Sequence, residues 1–122
     1  MKISEIASIL NGTILCCEDI SCEEVFSACG SDMMSDVLAY VKNQAVLLTG
    51  LVNPQVIRTA EMMDMKCVVF VRNKAPSEEI LEIARQSGIA VIKTAYRMYE
   101  ACGLLYSKGL YGNSNGNGKA GE

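Results

Sequence analysis

Histidine is absent from all 122 residues, which removes every Ser-His-Asp or Cys-His catalytic scheme and every imidazole-ligated metal site. Tryptophan is missing too, and only two Phe and five Tyr remain, so platforms for stacking bases are poorly supplied. Nor is there an excess of positive charge. Eleven Lys and Arg stand against fourteen Asp and Glu, a net charge of −3, and no basic block exists to neutralise a phosphate backbone; nucleic acid is not an expected partner. No apolar run reaches the length of a membrane span, and the start Met1-Lys2-Ile3-Ser4-Glu5 lacks the long hydrophobic region of a signal peptide. The expectation is a cytoplasmic protein with no membrane partner. Gly-x-Gly-x-x-Gly, Walker and Gly-x-Ser-x-Gly motifs do not occur. The carboxylate pairs Glu23/Glu24 and Glu78/Glu79 are sequence neighbours that point in different directions, so they make no acid–base dyad.

What is present is apolar material. Half of the residues are hydrophobic, ample for one small core, and the length suits a single domain. Six cysteines, Cys16, Cys17, Cys22, Cys29, Cys67 and Cys102, include a vicinal pair and lack the two-residue spacing that aims two sulfurs at one ion. They are read as reduced thiols, several acting as small buried hydrophobes, with no metal and no cofactor expected.

From residue 45 onward three apolar runs recur at steps of 22 residues: Ala45-Val46-Leu47-Leu48, Cys67-Val68-Val69-Phe70-Val71 and Ile89-Ala90-Val91-Ile92. Unbroken β-branched runs of that length imply strands buried on both faces, and the stretches between them can each hold a crossover helix. Asn53-Pro54 reads as an N-cap followed by Pro in the first turn, and Ser77 as the cap of the second crossover helix, which Gly88 closes. Thr94 is the expected cap of a last helix carrying Met98, Cys102 and Leu105. Upstream, residues 3–10 form a short amphipathic helix stopped by Gly12; residues 13–17 and 24–29 read as strands of undetermined direction; and Asp32 or Ser35 caps a helix bearing Met34, Val37 and Leu38. The expected fold is a single α/β domain: three layers, with a mainly parallel sheet of about four to five strands and flanking helices. It occupies residues 1–107. Residues 108–122, rich in Gly and Asn, read as a flexible tail.

In open parallel sheets ligands bind beyond the carboxyl ends of the strands. Those ends carry Thr49-Gly50, Arg72-Asn73-Lys74 and Lys93-Thr94, with Gly30-Ser31-Asp32 joining them if the second strand runs the same way. Thr49, Gly50, Asn53 and Thr94 flank helix starts, whose free N–H groups attract anions, and Arg72, Lys74 and Lys93 add charge. Ordinary caps and solvated loop charges account for each of these residues singly.

Three stretches carry a family resemblance: Gly30-Ser31-Asp32-Met33-Met34-Ser35-Asp36-Val37-Leu38, then Leu47-Leu48-Thr49-Gly50 leading through Asn53-Pro54-Gln55-Val56-Ile57-Arg58-Thr59-Ala60-Glu61, and Ile92-Lys93-Thr94-Ala95-Tyr96-Arg97-Met98-Tyr99-Glu100. Over residues 1–107 the chain resembles a stand-alone DRTGG domain, a family similar to the N-terminal domain of HPr kinase/phosphorylase and found beside CBS domains in regulated pyrophosphatases and in some phosphotransacetylases. The resemblance implies a regulatory or assembly module of α/β build, often dimeric, without catalytic residues. The contiguous Asp-Arg-Thr-Gly-Gly run is not present: Thr49-Gly50 leads into Leu51-Val52-Asn53, so the local sequence shows no acidic or arginine group at that turn.

Together these readings point to a non-catalytic regulatory domain that binds a small anionic metabolite or nucleotide, mediates dimerisation, or does both. The expected ligand-binding residues are Thr49, Gly50, Asn53, Thr94, Ser31, Asp32 and Arg72. A protein-interaction module without a small ligand is the alternative, and a cysteine-based redox or metal-responsive protein a more distant one. Seven methionines in so short and apolar a chain suggest leftover apolar surface and a homodimer, with Met33 and Met34 as its expected interface.

Overall fold

The computed structural model describes residues 1–40 and 45–112. The first half of the chain folds as helix α1 (Ile3–Ile9), strand β1 (Thr13–Cys16), a single 3-10 turn (Glu18–Ile20), strand β2 (Ser27–Gly30) and helix α2 (Met34–Tyr40). The second half alternates β3 (Ala45–Thr49), α3 (Pro54–Met62), β4 (Cys67–Phe70), α4 (Glu78–Ser87), β5 (Ala90–Lys93) and α5 (Met98–Ser107). The three evenly spaced apolar runs are the three central strands. Every residue of β3 and β4 is buried, as an unbroken apolar run requires.

The sheet has the order β1-β5-β4-β3-β2. β2 to β5 are parallel in sequential order, and β1 pairs antiparallel with β5. Strand alternation divides the core in two. Val46, Leu48, Cys67, Val69, Ala90 and Ile92 meet α1 and α5 on one face; Leu47, Val68, Phe70 and Val91 meet α2, α3 and α4 on the other. The three expected layers are therefore present. Right-handed crossovers between strands laid down in sequence put α2, α3 and α4 on the same face. The chain leaving β5 crosses to the opposite face and becomes α5. Two neighbouring strands, β4 and β5, thus release their chains to opposite sides, and that divergence sits at the carboxyl edge of the sheet.

Local signals explain most of the helix ends. Asn53 Oδ1 accepts from Val56 N at 3.2 Å with Pro54 in the first turn, Ser77 Oγ accepts from Ile80 N at 3.3 Å, and Gly88 takes the left-handed conformation (φ 71°) that ends α4. Four sequence expectations need correction. The left-handed residue after α1 is Asn11 (φ 49°); Gly12 is required instead by close approach, since a Cβ there would stand 2.8 Å from Lys93 O. The second strand begins at Ser27 because Val25 pairs with the chain start, its N–H donating to Met1 O and its carbonyl accepting from the Met1 amine. Asp32 does not cap α2: the Ser31 hydroxyl accepts from Met33 N, and Asp32 faces the sheet edge. Thr94 does not cap α5, whose start at Arg97 has no side-chain cap. The Thr94 hydroxyl donates instead to Leu10 O at 2.7 Å, fastening β5 to the end of α1.

Of the residues assigned to a tail, 108–112 lie against the domain: Leu110 is buried and Tyr111 O accepts from Ala28 N at the β2 edge. The remainder, 113–122, lies outside the described residues. No helix among the described residues is long and apolar enough to cross a membrane.

Candidate functional site

At the carboxyl edge of the sheet two turns of similar placement differ in chemistry. The turn after β3 is filled by the protein itself. Asp32, brought in from the end of β2 by the parallel pairing of β2 with β3, accepts hydrogen bonds from Gly50 N at 2.7 Å and from the Thr49 hydroxyl at 2.9 Å. Thr49 Oγ1 in turn accepts from Leu51 N at 3.1 Å. These bonds, the Gly50 amide foremost, hold the Asp32 carboxyl below its ordinary value, with Thr49 and the charge of Arg72 helping. A carboxylate of the chain itself thus takes the Gly50 amide at the end of β3, while the start of α3 is capped separately by Asn53.

The turns after β4 and β5 are built differently. Val71-Arg72-Asn73-Lys74 closes with Lys74 N donating to Val71 O at 3.2 Å, and both central residues are left-handed, Arg72 at φ 60° and Asn73 at φ 57°. Asn tolerates that conformation; Arg does so at a cost of about 1 kcal/mol or more. The β5 loop over-determines the geometry: Arg72 N donates to Tyr96 O at 2.8 Å and Asn73 N to Thr94 O at 2.7 Å. Held in this way, the Arg72 guanidinium lies across Gly50. Nη2 is 3.5 Å from Gly50 O, and a Cβ on Gly50 would stand 2.5 Å from that nitrogen, so a side chain there would displace the guanidinium. The acidic and arginine groups missing from the local sequence are therefore supplied from neighbouring strands, Asp32 from β2 and Arg72 from β4.

Arg72, Lys74, Tyr96 and Arg97 are exposed around the β4–β5 divergence, and Lys93 is half-buried beside them. Among the described residues the ion pairs join the Met1 amine to Glu24 and Arg85 to Glu78 and Glu82; none involves these four cations. Tyr96 and Arg97 were missed by the sequence reading, which carried Thr94 forward as a cap. Their signal was the Lys93-to-Arg97 run of two cations around a tyrosine, legible only once the loop is known to stay at the rim.

Of the expected ligand-binding residues, the structure brings Asp32, Thr49, Gly50 and Arg72 together. Ser31 stands at the β2 end and has its hydroxyl on Met33. Asn53 caps α3, and Thr94 is buried with its hydroxyl shared between Leu10 O and Tyr96 N. No buried side-chain nitrogen or oxygen among the described residues lacks a partner. Met33 is 60% exposed, while Met34 packs partly on the core.

Five of the six thiols pack on the core, and Cys22 is exposed. Burial keeps Cys67 protonated far above neutral pH and pushes Cys16 up to about 11; it also raises Cys29 and Cys102. Among the described residues no group of three or more Cys, Asp or Glu could hold a metal ion.

A family model for the DRTGG domain matches residues 5–107. The chain belongs to the DRTGG domain family. A solved structure of the CBS and DRTGG domains from the regulatory region of Clostridium perfringens pyrophosphatase, complexed with its activator diadenosine tetraphosphate, is similar with a TM-score of 0.70 at 18% identity. The match covers 85% of this chain and 45% of that one, so the chain spans about half the length of the neighbour. No curated protein matches. At that identity the likeness shows a shared fold, and the regulatory region is the neighbour's.

Proposed function

We propose that this DRTGG domain is a regulatory module that binds a small anionic ligand, a nucleotide or a phosphorylated metabolite, at the rim where β4 and β5 diverge. The observation that carries the reading is Arg72, an arginine kept in a left-handed turn by two loop–loop hydrogen bonds, with Lys74, Lys93 and Arg97 nearby. Strain of that kind persists where surrounding structure enforces it, and it concentrates at binding sites. Strand ends that send their chains to opposite faces are the usual place for a ligand in open α/β sheets. The β3 turn then serves as a support. Asp32 fixes Gly50, and Gly50 gives Arg72 a surface to lie on. The nucleotide activator of the clostridial regulatory region supports a nucleotide as the first class to test. Self-association as a homodimer belongs to the same reading, because a small regulatory module acts by transmitting ligand binding to a partner.

A thermal-shift screen over nucleotides and phosphorylated metabolites tests the ligand. A true ligand at a hundred times its dissociation constant stabilises the fold by about 2.7 kcal/mol, and the shift disappears in Arg72→Gly and weakens in Arg97→Ala. A full screen without a shift, or an undiminished shift in Arg72→Gly, removes the rim reading.

A further inference from the structure

One continuous run of hydrogen bonds joins the open rim to the start of α2. Asp32, as a carboxylate, can only accept, so the Thr49 hydroxyl donates to it at 2.9 Å and keeps its own oxygen for Leu51 N at 3.1 Å. Leu51 N and Gly50 O belong to one peptide group, and that oxygen faces Arg72 Nη2 at 3.5 Å. Cation, peptide, hydroxyl and carboxylate therefore align their dipoles, and in such a chain each bond strengthens the next. Thr49, in the middle, is buried, so water does not compete for its hydroxyl. The two ends differ in firmness. At the inner end Ser31 N donates to Leu48 O at 3.0 Å, Asp32 takes Thr49 and Gly50, and the Ser31 hydroxyl takes Met33 N. Helix α2 follows directly. It has seven residues, too few to stay helical unaided, and although Val37 is buried, Leu38 is 42% exposed. Its order therefore depends on how firmly its start is held. At the outer end the contact is long and the Arg72 side chain is exposed. The guanidinium can leave Gly50 for a stronger acceptor, and a phosphate, which takes two parallel charge-assisted bonds from an arginine, is one.

We infer, on the reading of the rim as an anion site, that a phosphate group bound there is felt at α2 through Arg72, the Gly50–Leu51 peptide, Thr49 and Asp32. A ligand shifts a conformational equilibrium only where it interacts differently with the two states. Here the difference is the guanidinium, which rests on Gly50 O in one state and on phosphate in the other. Binding takes the cation from the end of the chain, the remaining bonds lose its polarisation, the hold on Asp32 weakens, and α2 opens more often. Thr49 and Asp32 act in this as positioning residues: neither touches the ligand, and both carry its effect across two strand ends. The same reasoning makes α2 the responsive element. Helix α3, which also follows the β3 turn, is nine residues long with its own Asn53 cap, and its start does not hang on Asp32.

Residue-resolved amide hydrogen exchange on the full chain reads the connection without a ligand, with thermal melts as a check on folding. Arg72→Gly keeps the left-handed turn and takes away the guanidinium, so it reproduces the loss of the cation from Gly50. The amides of α2 should then exchange about threefold faster or more, while those of β3 and β4, which report global opening, do not speed up. Thr49→Val should loosen α2 by itself and leave it indifferent to Arg72→Gly, a non-additive pair in a double-mutant cycle. Thr49→Ser, which keeps the hydroxyl, should respond to Arg72→Gly as the wild type does. Inorganic pyrophosphate added to the wild type should give the Arg72→Gly pattern. An α2 unchanged by Arg72→Gly overturns the connection, and this single surface variant decides the matter even if Thr49→Val fails to fold. An α2 that Arg72→Gly loosens equally beside Thr49→Val overturns it too. The expected pattern in the variants, with a wild type that neither pyrophosphate nor any compound of the thermal-shift screen alters, keeps the connection and removes the rim reading instead.

Discussion

The turn after β3 and the turns after β4 and β5 lie side by side on the same edge of the same sheet, yet one is finished and the other is not. At the β3 turn three donors have acceptors within the chain: Gly50 N and the Thr49 hydroxyl on Asp32, Leu51 N on Thr49. At the β4–β5 turns the backbone is equally well bonded, Arg72 to Tyr96 and Asn73 to Thr94, but the side chains are exposed cations with an exposed tyrosine between them. Exposed cations over a bonded backbone are what the proposed ligand site rests on. The difference arises from winding. β3 lies between strands whose chains leave on its own side, so β2 can lend it a carboxylate. β4 and β5 part company and leave their side chains facing outward.

Removing the internal carboxylate is the strongest way to break that contrast. Asp32→Ala takes the acceptor from Gly50 N and the Thr49 hydroxyl and should cost about 1–2 kcal/mol in urea denaturation; a cost near zero would mean that the β3 turn is not held by Asp32. A subtler version reads the proton. The carboxyl of Asp32 titrates below its ordinary value of 3.8 in the fold, so its contribution to stability is complete above that value and is lost as pH falls through the lower folded value. Between about pH 5 and pH 2 the wild type should lose stability more steeply than Asp32→Asn, in which the position no longer titrates. Parallel slopes for the two proteins would deny the shift.

On the open side the sign reverses. Arg72→Gly relieves a left-handed arginine and should raise stability, by up to about 1 kcal/mol, while abolishing the ligand-induced thermal shift. A stabilised protein that has lost its ligand response is the signature of strain kept for binding. A destabilised one would show that the guanidinium holds Gly50 rather than a ligand.

The architecture was legible where one residue type settles a local choice: three β-branched runs at equal spacing became three neighbouring strands, and Asn53-Pro54, Ser77 and Gly88 cap as their chemistry requires. The site was half legible. Strand ends could be found from the runs, so Thr49, Gly50 and Arg72 were found with them. What local sequence cannot contain is a bond between residues far apart in the chain. Thr94 has the chemistry of a cap and, next to Leu10, spends its hydroxyl elsewhere. Asp32 has the same chemistry and is claimed by Gly50 across a strand pairing. The Thr49-Gly50 turn makes the same point, since the acid and the arginine that touch it come from the ends of β2 and β4. The start of β2 was misjudged for the same reason, the chain's own amino end having taken Val25.

The sequential order of β2 to β5 also carries a consequence for how the molecule comes into being. Each of β3, β4 and β5 can pair with the strand made just before it, so that four of the five strands can be added in the order of synthesis through one crossover at a time. β1 is the exception. It is made early and pairs only with β5, the last strand, and the Thr94–Leu10 hydrogen bond spans 84 residues. The pairing of the first strand thus depends on the last, and contacts such as Thr94–Leu10 and Ala28–Tyr111 tie the two ends of the fold together.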